Sequence, residues 1–177
     1  DTATATVTIE DNVPPTATAQ NLTIQLGNNG QASITATDVD GGSTDNCAVA
    51  LVSINTGNFD CSNVGANTVT LTVTDVNGNT STDTATVTVE DNVAPNVITQ
   101  NVTVTLVNGQ ASITANDIDG GSSDNCAIAS ITANQTTFTC ADLGANNVVL
   151  SVTDVSGNTT TDFATVTVNE QPMTAIV

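Results

Sequence analysis

Residues 68–90 read TVTLTVTDVNGNTSTDTATVTVE. Val69, Leu71 and Val73 fall on one side of an extended chain, and Ala85, Val87 and Val89 on one side of the next run. A two-residue period is the mark of a strand with one buried face and one wet face. Threonine fills most of the opposite positions; it is β-branched, which suits a pleated strand, and its hydroxyl suits water. Between the runs, Asn77-Gly78-Asn79 tolerates positive φ, so the stretch reads as two strands joined by a tight turn.

The same alternation lies upstream. Leu22, Ile24 and Leu26 share a face, as do Ala32, Ile34 and Ala36, and turn residues stand at Asn28-Asn29-Gly30, Gly41-Gly42 and Thr56-Gly57-Asn58. Short strands at this spacing predict an all-β chain whose sheets are antiparallel, with no helix required. The architecture expected is an immunoglobulin-like β-sandwich.

The pattern then recurs. ATVTIEDNVPP at 5–15 returns as ATVTVEDNVAP at 85–95, DGGSTDNCA at 40–48 as DGGSSDNCA at 119–127, and TDVNGNT at 74–80 as TDVSGNT at 153–159. These offsets of 79 and 80 define tandem units of about 80 residues, the signature of a repeat protein. The expected layout is a closing strand and linker of a preceding repeat at 1–12, a first repeat at 13–92, a second at 93–171, and the start of a following segment at 172–177. The chain is accordingly expected to be a section of a longer array.

Charge narrows the function. The 177 residues contain 18 Asp and Glu and no Lys, Arg or His, a formal charge of −18. Nucleic-acid binding through phosphates is excluded for want of cationic side chains, and so is attraction to an anionic membrane. With no His, Lys, Tyr or Trp, the usual general bases and Schiff-base amines are missing, and an enzyme is not expected. No stretch approaches the roughly 20 apolar residues of a membrane span. An apolar share of 38% still permits a core of Val, Ile, Leu and Ala.

Cys47 and Cys61 lie 14 residues apart in one repeat, and Cys126 and Cys140 lie 14 apart in the other. A pair repeated within each unit favours Cys47–Cys61 and Cys126–Cys140 disulfides, the alternative being buried free thiols. Disulfides would place the chain outside the cytoplasm. Two Cys and no His are too few soft ligands for zinc.

The acidic residues are clustered. Glu10, Asp11 and Asn12 precede the first repeat; Asp38, Asp40 and Asp45 follow its second strand; Asp75, with Asn77 and Asn79, sits between its last two strands. Glu90, Asp91 and Asn92, then Asp117, Asp119 and Asp124, then Asp154 with Asn158, repeat the arrangement. Strand directions in a sandwich of this type bring the three segments to the end that faces the preceding repeat. Carboxylates crowded without Lys or Arg repel one another, so a cation is expected among them. Hard oxygen ligands in flexible loops suit Ca²⁺, with Mg²⁺ second; a merely solvated acidic surface is the alternative. Asp60, Asp83, Asp142 and Asp162 lie outside the clusters and read as ordinary surface charge.

The succession EDNVAP, ATDxDGGSxDNC, F-x-C, GANTVTLTVTDVNGN and TATVTV resembles the hyalin-repeat (HYR-like) modules of immunoglobulin-like fold. It is especially similar to the tandem repeats of giant surface adhesins of gliding bacteria that use type IX secretion, the SprB kind. That resemblance implies secretion, cell-surface display, a filamentous shape and a role in attachment or gliding motility. It implies no ligand-binding residue at any position. Asn169-Glu170-Gln171-Pro172 departs from the Glu-Asp-Asn linker pattern. Asp1-Thr2-Ala3 and Asp83-Thr84-Ala85 further resemble an O-glycosylation acceptor of the same bacterial group, which would place sugars on Thr2 and Thr84.

The function expected is therefore that of structural spacer repeats in a long extracellular adhesin or filament. Intra-repeat disulfides and Ca²⁺ at the junctions would stiffen them, and their partners would be neighbouring repeats and like chains. A glycan-binding module is the rival, weakened by the lack of Trp and Tyr platforms. A self-assembling filament subunit that lends strand 1–9 to a neighbour's sheet is a third reading.

Overall fold

The computed structural model describes residues 1–172. The segment expected to open a following unit at 172–177 falls, beyond Pro172, outside the described residues. The chain forms two compact units that part between Asp91 and Asn92.

In the first unit the elements run β1 (Leu22–Gln25), β2 (Gln31–Ser33), a one-turn helix α1 (Ala36–Val39), β3 (Val49–Ile54), β4 (Asn58–Asp60), β5 (Gly65–Asp75) and β6 (Thr80–Glu90). The second unit repeats this order with β7 (Val102–Thr105), β8 (Gln110–Ser112), β9 (Ile128–Ala133), β10 (Thr137–Thr139), β11 (Gly144–Asp154) and β12 (Thr159–Asn169). A 3-10 turn at Ala115–Asp117 stands where the first unit has α1. Each unit is an immunoglobulin-like β-sandwich. A four-stranded sheet, β1-β6-β5-β3 or β7-β12-β11-β9, stands over a two-stranded one, β2-β4 or β8-β10.

The alternation in 68–90 builds the scaffold. β5 and β6 form an antiparallel hairpin in which Val69 faces Ala85 and Thr74 faces Thr80, closed by Gly78 at φ 94°. Val69, Leu71, Val73, Ala85, Val87 and Val89 are buried. They join Leu26, Ile34, Val39 and Phe59 in the core, each with a counterpart in the second unit: Leu106, Ile113, Ile118 and Phe138. A fully buried aliphatic side chain contributes about 1.5–3 kcal/mol, so this stripe carries the fold.

Two expectations need correction. The sheets are not wholly antiparallel: β1 pairs with β6 in parallel, Leu22 opposite Val87, and β7 pairs likewise with β12. The whole body of the unit lies between these strands, a connection long enough for a parallel crossover. A helical turn also forms at α1, where the Asp38 carboxylate accepts the Thr35 N–H at 2.7 Å as its half of a capping box and accepts the Thr35 hydroxyl as well.

Residues 1–12, expected to hold the closing strand of a preceding repeat and its linker, belong to no sheet, and residues 1–10 are exposed, Val7 at 81% and Ile9 at 92%. Their counterpart β6 becomes a strand by pairing with β1 and β5 of its own unit.

Candidate metal centre

The inward stripe of β5 does not stop at Val73. Two residues on, Asp75 takes the next inward position and is 2% exposed, so a carboxylate caps an apolar face. It is held by the hairpin turn: Oδ1 accepts the N–H groups of Asn77 and Asn79 at 2.8 Å each, and Oδ2 accepts the Asn79 side-chain amide at 2.7 Å. Burial disfavours its charge, yet the Asn79 amide and the N–H groups of Asn79, Asn77 and Gly78 hold the carboxyl below the usual range.

Two further carboxylates reach the same place. Asp11 arrives from the linker, its backbone carbonyl accepting the Asn79 amide at 3.0 Å and its Oδ1 accepting the Val13 N–H at 3.0 Å and the Asn46 amide at 3.3 Å. The Val13 N–H, the Cys47 thiol and the Asn46 amide hold its carboxyl below the ordinary value. Asp45 arrives from the loop before β3, where its Oδ2 accepts the N–H groups of Cys47 and Ala48 at 2.8 and 3.0 Å.

Asp11, Asp45 and Asp75 each offer an oxygen within 4.8 Å of the others. Asp11 Oδ2 and Asp45 Oδ1 are buried and accept no hydrogen bond. Buried carboxylate oxygens that point at one another without a donor or a cation are costly. The residues fit a divalent ion: all the donors are hard oxygens, three side chains are anionic, and Asn79 fixes two of the three elements.

Asp91, Asp124 and Asp154 form the corresponding triad. Asp154 accepts from the N–H groups of Ser156 and Asn158 and from the Asn158 amide, Asp124 Oδ2 accepts the Cys126 N–H at 2.9 Å, and Asp124 Oδ1 is buried with no hydrogen bond. Asp91 and Asp154 are buried, at 4% and 2% exposure.

The other acidic candidates stand apart from the triads. Asp38 and Asp117 cap the turns begun by Thr35 and Thr114. Asp40 and Asp119 are tied to Ser43 and Ser122, each by a 2.6 Å hydroxyl bond and a 2.9 Å N–H bond. These bonds hold all four carboxyls below their ordinary values, so their charges are already met by donors three residues away. Glu90 accepts the Gln25 amide at 3.0 Å. Glu10, Asn12, Asn77 and Asn92 are exposed, and Asn77 lends Asp75 only its backbone N–H.

Three of the acids read as plain surface charge have structural work. Asp60 caps the turn at Cys61–Asn63, Asp142 closes the counterpart turn by accepting the N–H of its cap Thr139 at 2.8 Å, and Asp83 accepts the Ala19 N–H at 2.8 Å. Asn46, which donates to Asp11, lies outside the expected ligand set, and the identical Asp-Asn-Cys in both units is the sequence signal that marks it. Thr84 is exposed on β6 and Thr2 is exposed outside any sheet.

The cysteines correct the expected pairing. Cys47 and Cys140 are free and exposed, so neither Cys47–Cys61 nor Cys126–Cys140 forms. The reason is distance. Cys47 adjoins the triad, its thiol beside the Asp11 carboxylate, which pushes the thiol pKa up, as burial and the charges of Asp45 and Asp75 also do. The Cys61 sulfur lies 3.7 Å from the Gly30 carbonyl, in the turn before β5 begins. β5 has 11 residues, which at about 3.4 Å each separates those ends by roughly 34 Å. Cysteines joined by a disulfide have Cα atoms within about 7 Å.

No protein-family model and no curated protein matches the chain. Among solved structures it is similar to Drosophila N-cadherin EC1-4, at 12% identity and a TM-score of 0.48, covering 90% of this chain and 50% of that one. Protocadherin gamma B7 extracellular cadherin domains 1-4 match at 10% identity and a TM-score of 0.43, over 90% and 52%. Human protocadherin-24 EC1-2 matches at 14% identity and 0.41, over 91% and 100%. The chain spans about half the length of the first two. Among the described residues no helix is long and apolar enough to cross a membrane.

Proposed function

We propose that the chain is a non-catalytic spacer: immunoglobulin-like repeats of a long extracellular, cell-surface adhesin or filament, each binding Ca²⁺ through its aspartate triad. The observation that carries this reading is the set of buried carboxylate oxygens of Asp11, Asp45 and Asp124 that accept no hydrogen bond, in a chain without one cationic side chain. Ca²⁺ takes six to eight oxygens in flexible geometry, so two or three carboxylates with water would serve it; Mg²⁺ asks for a tighter octahedron. Asp11, Asp45 and Asp75 would hold the ion in the first repeat, with Asn79 fixing Asp75 and the Asp11 backbone.

Asp11 lies in the linker and Asp75 in the sandwich, so an ion shared between them removes freedom that the linker prolines restrict only in part. A stiff stalk is the mechanical result. The resemblance to HYR-like repeats of gliding-bacterium adhesins supports the setting, and attachment would belong to another part of such a protein. Calcium titration by calorimetry, with small-angle scattering in calcium and in chelator, tests the reading. Saturable binding and a maximum dimension that shrinks on chelation are expected; no binding, or a dimension indifferent to chelator, refutes it.

A further inference from the structure

The sequence holds three Asn-Gly pairs, at 29–30, 77–78 and 108–109. Asparagine before glycine is the setting in which a side-chain amide is lost most readily, because no Cβ hinders the next backbone nitrogen as it turns on the amide carbon. The fold treats the three pairs differently. Asn29 is held, its Oδ1 accepting the Gln31 N–H at 3.2 Å and its amide donating to the Gln31 side chain at 3.5 Å. Asn108 sits at φ 52° in a two-residue loop that Val107 and Gln110 close with a bond in each direction, at 2.9 and 3.2 Å. Turning its peptide would break that closure.

Asn77 is under neither restraint. It is exposed, and among the described residues its side-chain amide makes no hydrogen bond; only its backbone N–H is engaged, by Asp75. The Gly78 nitrogen donates only a long bond, 3.3 Å, to the Asp75 carbonyl. A Cβ built on Gly78 would meet nothing within 4 Å, so a ring closing there has room. Ser156 stands at the equivalent place in the second repeat, with no amide to lose.

We propose that Asn77 is a site of spontaneous, age-dependent modification, converted to aspartate and isoaspartate in the turn that holds Asp75. The Gly78 nitrogen bonds to the Asn77 side-chain carbon, the amide C–N bond breaks, and ammonia leaves with the Gly78 proton, which closes a cyclic imide. Water then opens the ring. Cleavage on the side-chain side leaves aspartate in an unaltered backbone; cleavage on the other side leaves isoaspartate, whose main chain runs through the former side chain and is one carbon longer. In sum, amide and water become acid and ammonia, with nothing oxidised or reduced. Either product adds a carboxylate to the turn, and isoaspartate also shifts Asn79, whose N–H and amide hold Asp75. The first repeat would thus change with age at this turn, while the second would not. The effect on calcium rests on the metal reading; the modification itself does not.

Ageing the full chain at mildly alkaline pH, with peptide mapping by mass spectrometry and labelling by an isoaspartyl methyltransferase, reads the modification without metal. In the folded chain the Asn77 amide should be lost ahead of those of Asn29 and Asn108, and in urea the three should convert alike. An Asn77 that stays intact, or that converts no faster than the other two when folded, overturns the proposal; the same order persisting in urea overturns the role of the fold. Asn77→Ser, which copies the second repeat, should abolish the early release of ammonia, and release as fast as from the unaltered chain would also overturn it. Calorimetry on fresh and fully converted chains then reads calcium, with weaker binding expected after conversion to isoaspartate. Equal binding would overturn the proposed effect on Asp75, whereas no binding by either chain would refute the metal reading and leave the modification standing.

Discussion

Replacing Asp45 and Asp124 together by Asn separates the metal reading from simple acidity. Asp45 Oδ2 accepts two N–H groups, while Oδ1 is buried and accepts none. Asparagine can keep its oxygen on those N–H groups and turn its amide toward Asp11 and Asp75, whose oxygens lie within 4.8 Å of the site. Without metal, the change deletes one of three like charges and supplies a donor, so the variant should melt several degrees above the unaltered chain.

With calcium the order reverses. A ligand at about 100 times its Kd stabilises the folded state by about 2.7 kcal/mol. A domain of this size gains about 4–8 °C per kcal/mol, so calcium should raise the melting temperature of the unaltered chain by roughly 10–20 °C. The variant, short of one anionic ligand per site, should keep only a small part of that rise. Differential scanning calorimetry in EGTA and in calcium reads both arms. An equal calcium shift in both proteins, or a metal-free variant that melts lower, would refute the assignment of the triads.

Other predictions follow from the scaffold. Leu71→Ala empties a fully buried position on β5 and should cost about 2–5 kcal/mol in urea unfolding. Gly78→Ala forces a Cβ onto a residue at φ 94° in the β5–β6 turn and should cost about 1–2 kcal/mol, with nothing in the way of a steric clash to add. Asp83 is held below its ordinary value of 3.8 by the N–H groups of Ala19 and Thr84, so its contribution is present above that value and is lost as pH falls through it toward the lower folded-state pKa. Urea midpoints taken from about pH 5 down to about pH 2 should fall less steeply in Asp83→Ala than in the unaltered chain.

Much of this molecule is written locally. A two-residue period in 68–90 is a statement about which face each side chain takes, and it held for Val69, Leu71, Val73, Ala85, Val87 and Val89 because nothing but burial competes for an aliphatic side chain. Carried two residues further, the same phase puts Asp75 after Val73 and Asp91 after Val89 on the buried face. The centre of each candidate site could thus be seen from periodicity as well as from charge.

Tertiary structure decided which acids meet and which cysteines cannot. Asp38, Asp40 and Asp45 are neighbours in sequence, but Thr35 and Ser43 take up the first two through bonds spanning three residues, and only Asp45 is left to turn toward Asp11 and Asp75. Cys47 and Cys61 are separated by little chain and by the full length of β5, a distance that comes from strand pairing and not from spacing. A carboxylate goes to whichever donor the folded chain brings nearest. Those choices belong to contacts between residues far apart in the chain, which no local pattern encodes.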